Sequence, residues 1–431
     1  MGTSEPNPAS QGITVSLPKG LDLAAVLPRA LEYRHDDARW LIGEVVRKQD
    51  LDDGEDPHGY VRLNSRILRR VMAERTLPAV VEALENGGVL ETAAYTKRVQ
   101  SRGYRLAEPY CSQDRREVPL RDALLIERVL RERARMEEEQ SRRRLPVDEK
   151  LIQVQRTRLT VADAADALLV ALDPKVGWVQ RKLLDRIRNR TPNYSISETG
   201  RRFNAITGVS RRLRPALRLD GVPIAGIDVR CTQPALLAAM IDADGNTPRS
   251  VGTYVEADLV ALPEAVRRAA AAAPRVDSDF GRFRDWVVGG VLYDELVGAC
   301  RAKGVCLDGP DGPRARVKTL VLQEVLAKKG SYRSPFEDLF AEMFPSVVRW
   351  VRSVNQADYC LLVRLLQKME SWLVVEKVTP RLVDRIPVVT LHDAIYAPAS
   401  DLDLVSDAFQ ETFEQLGFQL QLKVEGRDGG P

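Results

Sequence analysis

Apolar residues recur at helical spacing along most of the chain, while short apolar runs bounded by turn residues gather in its second half. Residues 1–22, rich in Pro, Ser, Gly and Asn and without periodicity, predict a poorly ordered tail. From Leu23 to about Leu106 the pattern predicts a helix over Ala38–Arg47, a polar DDGEDPHG loop, and two short helices in NSRILRRVMAE and TLPAVVEALENGG. A strand, a loop and a second strand follow in VLETAAYTKRVQSRGYRL. Asn64 or Ser65 suits the N-cap of the first short helix and Thr76 that of the second, with Pro78 in its first turn and Gly87-Gly88 as its stop. Leu120 to Arg188 reads as charged helix, with a more apolar helix in VADAADALLVAL. From Tyr194 to about Glu425 strands alternate with helices, and the Ala269–Ala273 run reads as helix.

Helix, helix and hairpin in this order resemble a winged helix-turn-helix. That resemblance implies a duplex-DNA partner, with the hairpin wing on phosphates and the second helix meeting a groove. The wing carries Lys97, Arg98, Arg102 and Arg105 interleaved with Tyr95 and Tyr104.

Composition changes this picture little. The 431 residues suffice for two or three domains, no apolar run approaches the roughly 20 residues of a membrane span, and the first residues lack the layout of a secretory signal. A cytoplasmic protein without a membrane partner is expected. The five cysteines are scattered and form no CxxC pair, which predicts neither disulfides nor a zinc site. Net charge is only +3, yet Arg201, Arg202, Arg211, Arg212, Arg214 and Arg218 lie close together, a concentration suited to phosphate contacts.

Three segments carry candidate chemistry. VPIAGIDVRCTQPALLAAM reads as an apolar strand ending at Asp228, a turn, and a helix capped by Thr232 with Pro234 in its first turn. IPVVTLHDAIYAPAS reads as strand, turn and strand, lifting His392 and Asp393 at the turn, and is followed by a helix and a strand. PRARVKTLVLQEVLAKKG reads as a helix with Arg314 and Lys318 one turn apart on one face, two cations placed to meet a triphosphate.

In this order the three resemble motifs A, B and C of the family A DNA polymerases and of their relatives, the single-subunit phage-type RNA polymerases. Motif A resembles Asp228 and its helix, motif B Arg314-x3-Lys318, and motif C His392-Asp393. Thr199-Gly200-Arg201, FPSVVRWVRSV, and LLVRLLQKMESWLV with Gln367 fall where the family places further matches. The resemblance spans about residues 195–425. It implies an α+β right-hand palm with helical fingers and thumb, preceded by the winged-helix-like domain. The expected layout is tail 1–22, winged-helix-like domain 23–110, helical connector or thumb 111–193, palm and fingers 194–425, and tail 426–431.

The implied activity is template-directed nucleotidyl transfer by a compact DNA polymerase, with two Mg²⁺ ions, or Mn²⁺ in their place, held by Asp228, Asp393 and the Val229 carbonyl. Lys318 would protonate the departing pyrophosphate, while Arg314, Lys318, His392, Gln233 and Tyr332 would border the nucleotide. Arg201 and Gln367 would meet the primer-template, and a role for a mobile element is one biological setting.

Three departures from the family pattern bear on the product. Ala394 follows the motif C aspartate where DNA polymerases carry an acid, and Gln233 stands where they carry a ribonucleotide-rejecting glutamate. The aromatic expected beyond the motif B lysine is aliphatic near Val325, leaving the later Tyr332 as the base-stacking candidate. No room exists upstream for the family's exonuclease domain, so no proofreading is expected. An RNA-making primase-like enzyme and a catalytically inactive replication initiator or DNA-binding regulator remain open beside the DNA polymerase.

Overall fold

A computed structural model describes residues 12–49, 59–93, 101–111, 113–243, 278–309, 311–416 and 420–426. They belong to two compact units, one of residues 1–143 with 173–179 and one of residues 144–172 with 180–431. Every strand pair in both is antiparallel, and with long helices between the strands the class is α+β.

In the first unit, strand β1 (Thr14–Pro18) pairs with β5 (Arg115–Pro119), and α1 (His35–Gln49) follows β1. Strands β2 (Val61–Arg62), β3 (Leu90–Ala93) and β4 (Gly103–Leu106) form one sheet in the order β2-β4-β3, with α2 (Ser65–Met72) and α3 (Thr76–Asn86) between the first two. Helix α4 (Ala123–Arg143) closes the unit.

The expected tail and boundaries change here. Residues 14–18 are not tail: Val15 and Leu17 alternate inward from β1, and Ile13 and Leu21 flank them in the core. The unit also extends past residue 110 through β5 and α4 to residue 143, taking in part of the expected connector.

Local chemistry explains the short helices. Asn64 caps α2 by accepting from the Arg66 amide. Thr76 is the first residue of α3 rather than its cap, and its side chain is buried. Gly87 and Gly88 end α3, with Gly88 at φ 63°.

The outward residues of α3 are Pro78, Glu82 and Asn86, none of them cationic, whereas α2 exposes Arg66 and Arg69. At the base of the hairpin Arg102 donates to Thr92 Oγ1 at 2.8 Å and Arg105 is paired with Glu91. Lys97 and Arg98, like Tyr95, lie outside the described residues.

The second unit has two apolar cores. Around one stand α5 (Pro146–Thr157), β6 (Leu159–Val161), the C-terminal half of α7 (Pro174–Arg188), β9 (Leu217–Leu219) and β10 (Val222–Val229). Helix α6 (Ala164–Val170), β11 (Val389–Leu391), β12 (Ala394–Pro398) and α15 (Leu402–Leu416) complete it. Its six-stranded sheet runs β11-β12-β10-β9-β6, with β13 (Leu422–Glu425) also on β10. A small hairpin of β7 (Ser195–Ile196) and β8 (Arg202–Phe203) stands apart from that sheet.

The other core is helical. It comprises α8 (Thr232–Ala243), α9 (Ser278–Val288), α10 (Leu292–Ala302), α11 (Pro313–Leu320), α12 (Pro335–Met343), α13 (Pro345–Val354) and α14 (Leu361–Ser371). The predicted Ala269–Ala273 helix lies outside the described residues. Helices α11 and α14 each continue into a π-helical turn, Val321–Leu326 and Trp372–Val378, a form that recurs near functional sites.

Among the described residues the chain crosses between these cores at the Asp228 and Glu370 segments. Val229 belongs to the sheet core and Cys231 to the helical one, while Met369 belongs to the helical core and Trp372 to the sheet core. The polar residues at both crossings, Asp228 to Gln233 and Glu370 to Ser371, therefore stand on the seam.

Candidate active site

Strand β10 brings Asp228 to that seam, and the β11–β12 hairpin brings Asp393 beside it. Asp228 is the register partner of Ala394, so the hairpin turn ends next to the strand-end carboxylate. The hairpin has a two-residue turn, His392-Asp393, between paired Leu391 and Ala394, and His392 takes the positive φ (54°) that tight hairpin turns require. Gly226 lets the strands close: a Cβ there would lie 2.9 Å from the Tyr396 ring, whose hydroxyl donates to Glu425 at 2.7 Å.

Thr232 locks the two carboxylate-bearing segments together. Its Oγ1 lies 2.8 Å from Asp393 Oδ2 and 2.8 Å from the Val229 carbonyl, the same carbonyl expected to face a metal ion. The hydroxyl predicted as a helix cap is thus committed to the site.

Charge at this point is unbalanced. Burial, then the neighbouring Asp393 and Glu425, push Asp228 up to about 7, against the pull of Lys318 and Lys423. Asp228 Oδ1 is buried and has no hydrogen-bond partner among the described residues. Two carboxylates, one of them with an orphaned oxygen, and a backbone carbonyl form a hard, anionic donor set that fits a divalent cation. Among the described residues no group of three or more His, Cys, Asp or Glu side chains is placed to hold a metal. The fit therefore rests on the pair and the carbonyl.

A stability consequence follows for the metal-free protein. A carboxyl whose folded pKa lies above its unfolded value near 4 binds more protons folded than unfolded between those values, so its contribution falls as pH rises from about 4 to about 7. In EDTA, the midpoint of Asp228→Asn should gain on wild type across that window and stay ahead above it. A constant difference in thermal scans at pH 4.5, 6 and 7.5 would contradict the assigned environment.

The cations predicted for the site are arranged unequally. Lys318 is exposed, makes no ion pair among the described residues, and is near enough to draw Asp228 down. Arg314 bonds Asp294 at 3.0 Å and lies 5.4 Å from the Tyr293 ring centre. Tyr293 is 5 % exposed, and its hydroxyl titration is driven up by burial and by the charges of Cys231 and Asp393. Nothing in the sequence pattern marked this tyrosine, which reads as an ordinary helix residue.

His392 is held neutral by burial and by the positive charge of Arg201, which outweigh Asp393, and its ring stands edge-on to Phe203 at 5.9 Å. It therefore offers the site an imidazole and not a cation. Tyr332 lies apart, 50 % exposed, its hydroxyl on Glu324 at 2.8 Å and its ring under Lys328. Neither partner belongs to the carboxylate site.

Helix α14 supplies a residue that the motifs did not mark. Glu370, one turn after the half-buried Gln367, accepts from Arg201 Nε at 3.1 Å and Nη2 at 2.7 Å, and from Gln233 Nε2 at 3.2 Å. Burial and Asp393 raise its titration, while Arg201 and Gln233 oppose that rise. The next residue, Ser371, donates to the Gly200 carbonyl at 2.5 Å, and Arg202 Nη1 reaches both Ser371 Oγ (2.7 Å) and that carbonyl (2.6 Å).

The Thr199-Gly200-Arg201 turn is thereby strapped to α14. Asn204 Nδ2 extends the strap by donating to the Thr390 carbonyl at 2.6 Å. An acid three residues beyond Gln367 within an apolar run was the sequence signal for Glu370.

No family model and no curated protein matches the chain. The geometry of the seam alone must then say what chemistry it can do.

Proposed function

We propose that the chain is a metal-dependent, template-directed nucleotidyltransferase with a polymerase-type palm, acting as a DNA polymerase. The observation that carries this reading is the meeting of Asp228 and Asp393 at adjacent strand ends, with Asp228 Oδ1 buried and unpartnered among the described residues. A half-buried pair of like charges, one of them with a buried oxygen, is costly unless something cationic completes it. The antiparallel sheet backed by α15 supports the palm reading, and the helical core bearing α11 supports the fingers.

Asp228, Asp393 and the Val229 carbonyl would hold Mg²⁺, or Mn²⁺ in its place, and the bound ions would neutralise triphosphate charge and lower the pKa of the attacking hydroxyl. The protein's own groups do the rest. Thr232 Oγ1 fixes the orientation of Asp393, and Lys318 Nζ, exposed and without an ion pair among the described residues, meets the terminal phosphates and protonates the departing pyrophosphate oxygen. Arg314 reaches the same phosphates by exchanging its exposed Asp294 partner. His392 donates as a neutral imidazole. Arg201, held by Glu370, and Gln367 border the primer-template.

In the first unit, the order helix, strand, helix, helix, hairpin around one antiparallel sheet supports the winged-helix reading and with it a duplex-DNA partner. Arg66 and Arg69 on α2 are better placed for phosphates than the neutral and acidic outer face of α3. An RNA product is the second reading, favoured by the Gln233 amide and by buried, non-acidic Ala394 beside Asp393.

Primer extension with all eight nucleotides, on primed and unprimed templates with Mg²⁺ or Mn²⁺, tests the proposal. Extension is expected. A pure protein that binds duplex DNA yet adds no nucleotide under either ion would instead be an initiator or regulator.

A further inference from the structure

In the first unit, exposed arginine gathers on α2 and α4 and not on the helix that a winged helix sends into a groove. Helix α3 turns Pro78, Glu82 and Asn86 outward, and at the described base of the hairpin Arg102 and Arg105 are occupied by Glu85 and Glu91. On α4, by contrast, Arg128, Arg131 and Arg135 recur at i, i+3 and i+7, along one flank of the buried stripe of Leu125, Val129 and Glu132.

Two side chains bind that flank to α2. Arg128 Nη1 donates to the Val71 carbonyl at 3.1 Å, and Arg70 donates to Glu132, 7 % exposed, through Nε at 2.7 Å and Nη2 at 2.5 Å. The exposed side of α2, which carries Arg66, Arg69 and Arg70, therefore continues into the arginine flank of α4 as one face. Arg69 pairs with Glu74 at 3.6 Å, Arg70 with Glu132 and Arg131 with Glu127, whereas Arg66, Arg128 and Arg135 have no acid partner among the described residues. Half of its guanidinium charge is thus left over, and exposed pairs such as those of Arg69 and Arg131 are weak enough to exchange for phosphate.

Shape decides how this face meets a nucleic acid. A helix with its side chains is about 10–12 Å across and the major groove about 12 Å wide, so one helix enters the groove and two side by side do not. A two-helix face rests on the phosphates at the groove edges. Arg128 and Arg135 stand about 10 Å apart along α4, close to three base steps of duplex axis. Neither helix carries an aromatic residue, so the platform on which single strands stack is missing.

We propose that the α2–α4 face grips duplex DNA through its phosphates without reading sequence, and that α3 enters no groove. This rests on the duplex-DNA reading of the first unit and is independent of the transfer chemistry. The unit then holds the protein on any duplex and does not choose a site.

The test follows binding of the full-length protein by fluorescence anisotropy on two duplexes of unrelated sequence, each sealed by a hairpin at both ends so that no primer terminus is offered. Arg66→Gln combined with Arg135→Gln removes two exposed guanidinia without ion pairs, and an unchanged thermal midpoint verifies its fold. Between about 50 and 200 mM KCl, the slope of log K against log[KCl] should flatten by about two in this variant, and near 0.1 M affinity should fall at least about tenfold, equally on both duplexes. Selection of wild type from a random-sequence duplex pool should enrich no motif.

An enriched motif that Glu82→Ala with Asn86→Ala abolishes would place α3 in a groove and overturn the inference. If the arginine variant keeps wild-type affinity and slope, the face does not hold DNA and the inference fails while the duplex-DNA reading stands. If wild type binds neither sealed duplex, that reading fails and takes this one with it.

Discussion

Asp393→Asn should reduce nucleotide incorporation by at least about a thousandfold while the protein stays folded, and Asp228→Asn should do the same. Losing a hard anionic ligand removes several kcal/mol of metal-based charge stabilisation, and each 1.4 kcal/mol or so is a factor of ten in rate. Neither change should cost much stability. An asparagine at 393 keeps an oxygen for the Thr232 hydroxyl, and one at 228 removes a buried charge pushed up by burial, Asp393 and Glu425. Glu425→Gln is the control: that acid bears on Asp228 through charge, and its own bonds are to Tyr396 and Arg211. It should slow incorporation far less than either aspartate change. Single-nucleotide incorporation rates with thermal midpoints on the same samples decide this, and an Asp393→Asn protein retaining a tenth of wild-type activity would remove Asp393 from the metal site.

The fold was legible in the sequence where local signals agreed. The strand ending at Asp228 and the His392-Asp393 hairpin stand at their predicted places because apolar runs and a two-residue turn specify them without distant partners. Residues 14–18 were hidden for the opposite reason. A five-residue strand beside Pro- and Ser-rich chain has little local signal, and what makes it a strand is β5, about a hundred residues away.

The candidate site divides in the same way. Asp228, Asp393 and Lys318 were visible through motif spacing, and they are brought within electrostatic reach of one another. Tyr332 was chosen by proximity in sequence to an expected aromatic, yet the π turn after α11 leads it to an exposed position on Glu324. Arg201 stands as a primer-template contact through the Thr199-Gly200-Arg201 resemblance. Its buried partner Glu370 lies 169 positions away, and no periodicity reveals a pair at that separation. Thr232 was read as a cap because a threonine before a helix usually is one. Its hydroxyl was drawn instead by a carboxylate that only the fold brings near.

The largest stability effect is expected beneath the Thr199-Gly200-Arg201 turn. Arg202, 5 % exposed, bonds Asp148, 0 % exposed, through Nε at 2.9 Å and Nη2 at 3.2 Å, and the Tyr194 hydroxyl adds a 2.6 Å bond to the same carboxylate. Burial pulls the Arg202 guanidinium toward neutrality, but the bonds and charge of Asp148 more than reverse this. Asp148→Ala leaves that guanidinium buried without its counter-charge and should cost about 3–5 kcal/mol, lowering the midpoint of the second unit by on the order of 10 °C. Tyr194→Phe removes one bond to a charged group and should cost roughly 1.5–3 kcal/mol. Asp148→Leu combined with Arg202→Met removes both charges together, and replacement of a buried pair by apolar residues is often neutral, so most of the stability should return. Activity should not return with it. Arg202 Nη1 also holds the Gly200 carbonyl and Ser371 Oγ, and without it the Gly200 carbonyl in the turn that carries Arg201 to Glu370 is left to the Ser371 hydroxyl. Thermal scans and primer extension on the three variants separate the two roles, and a double variant that is stable and fully active would show that the ion pair does nothing for the site above it.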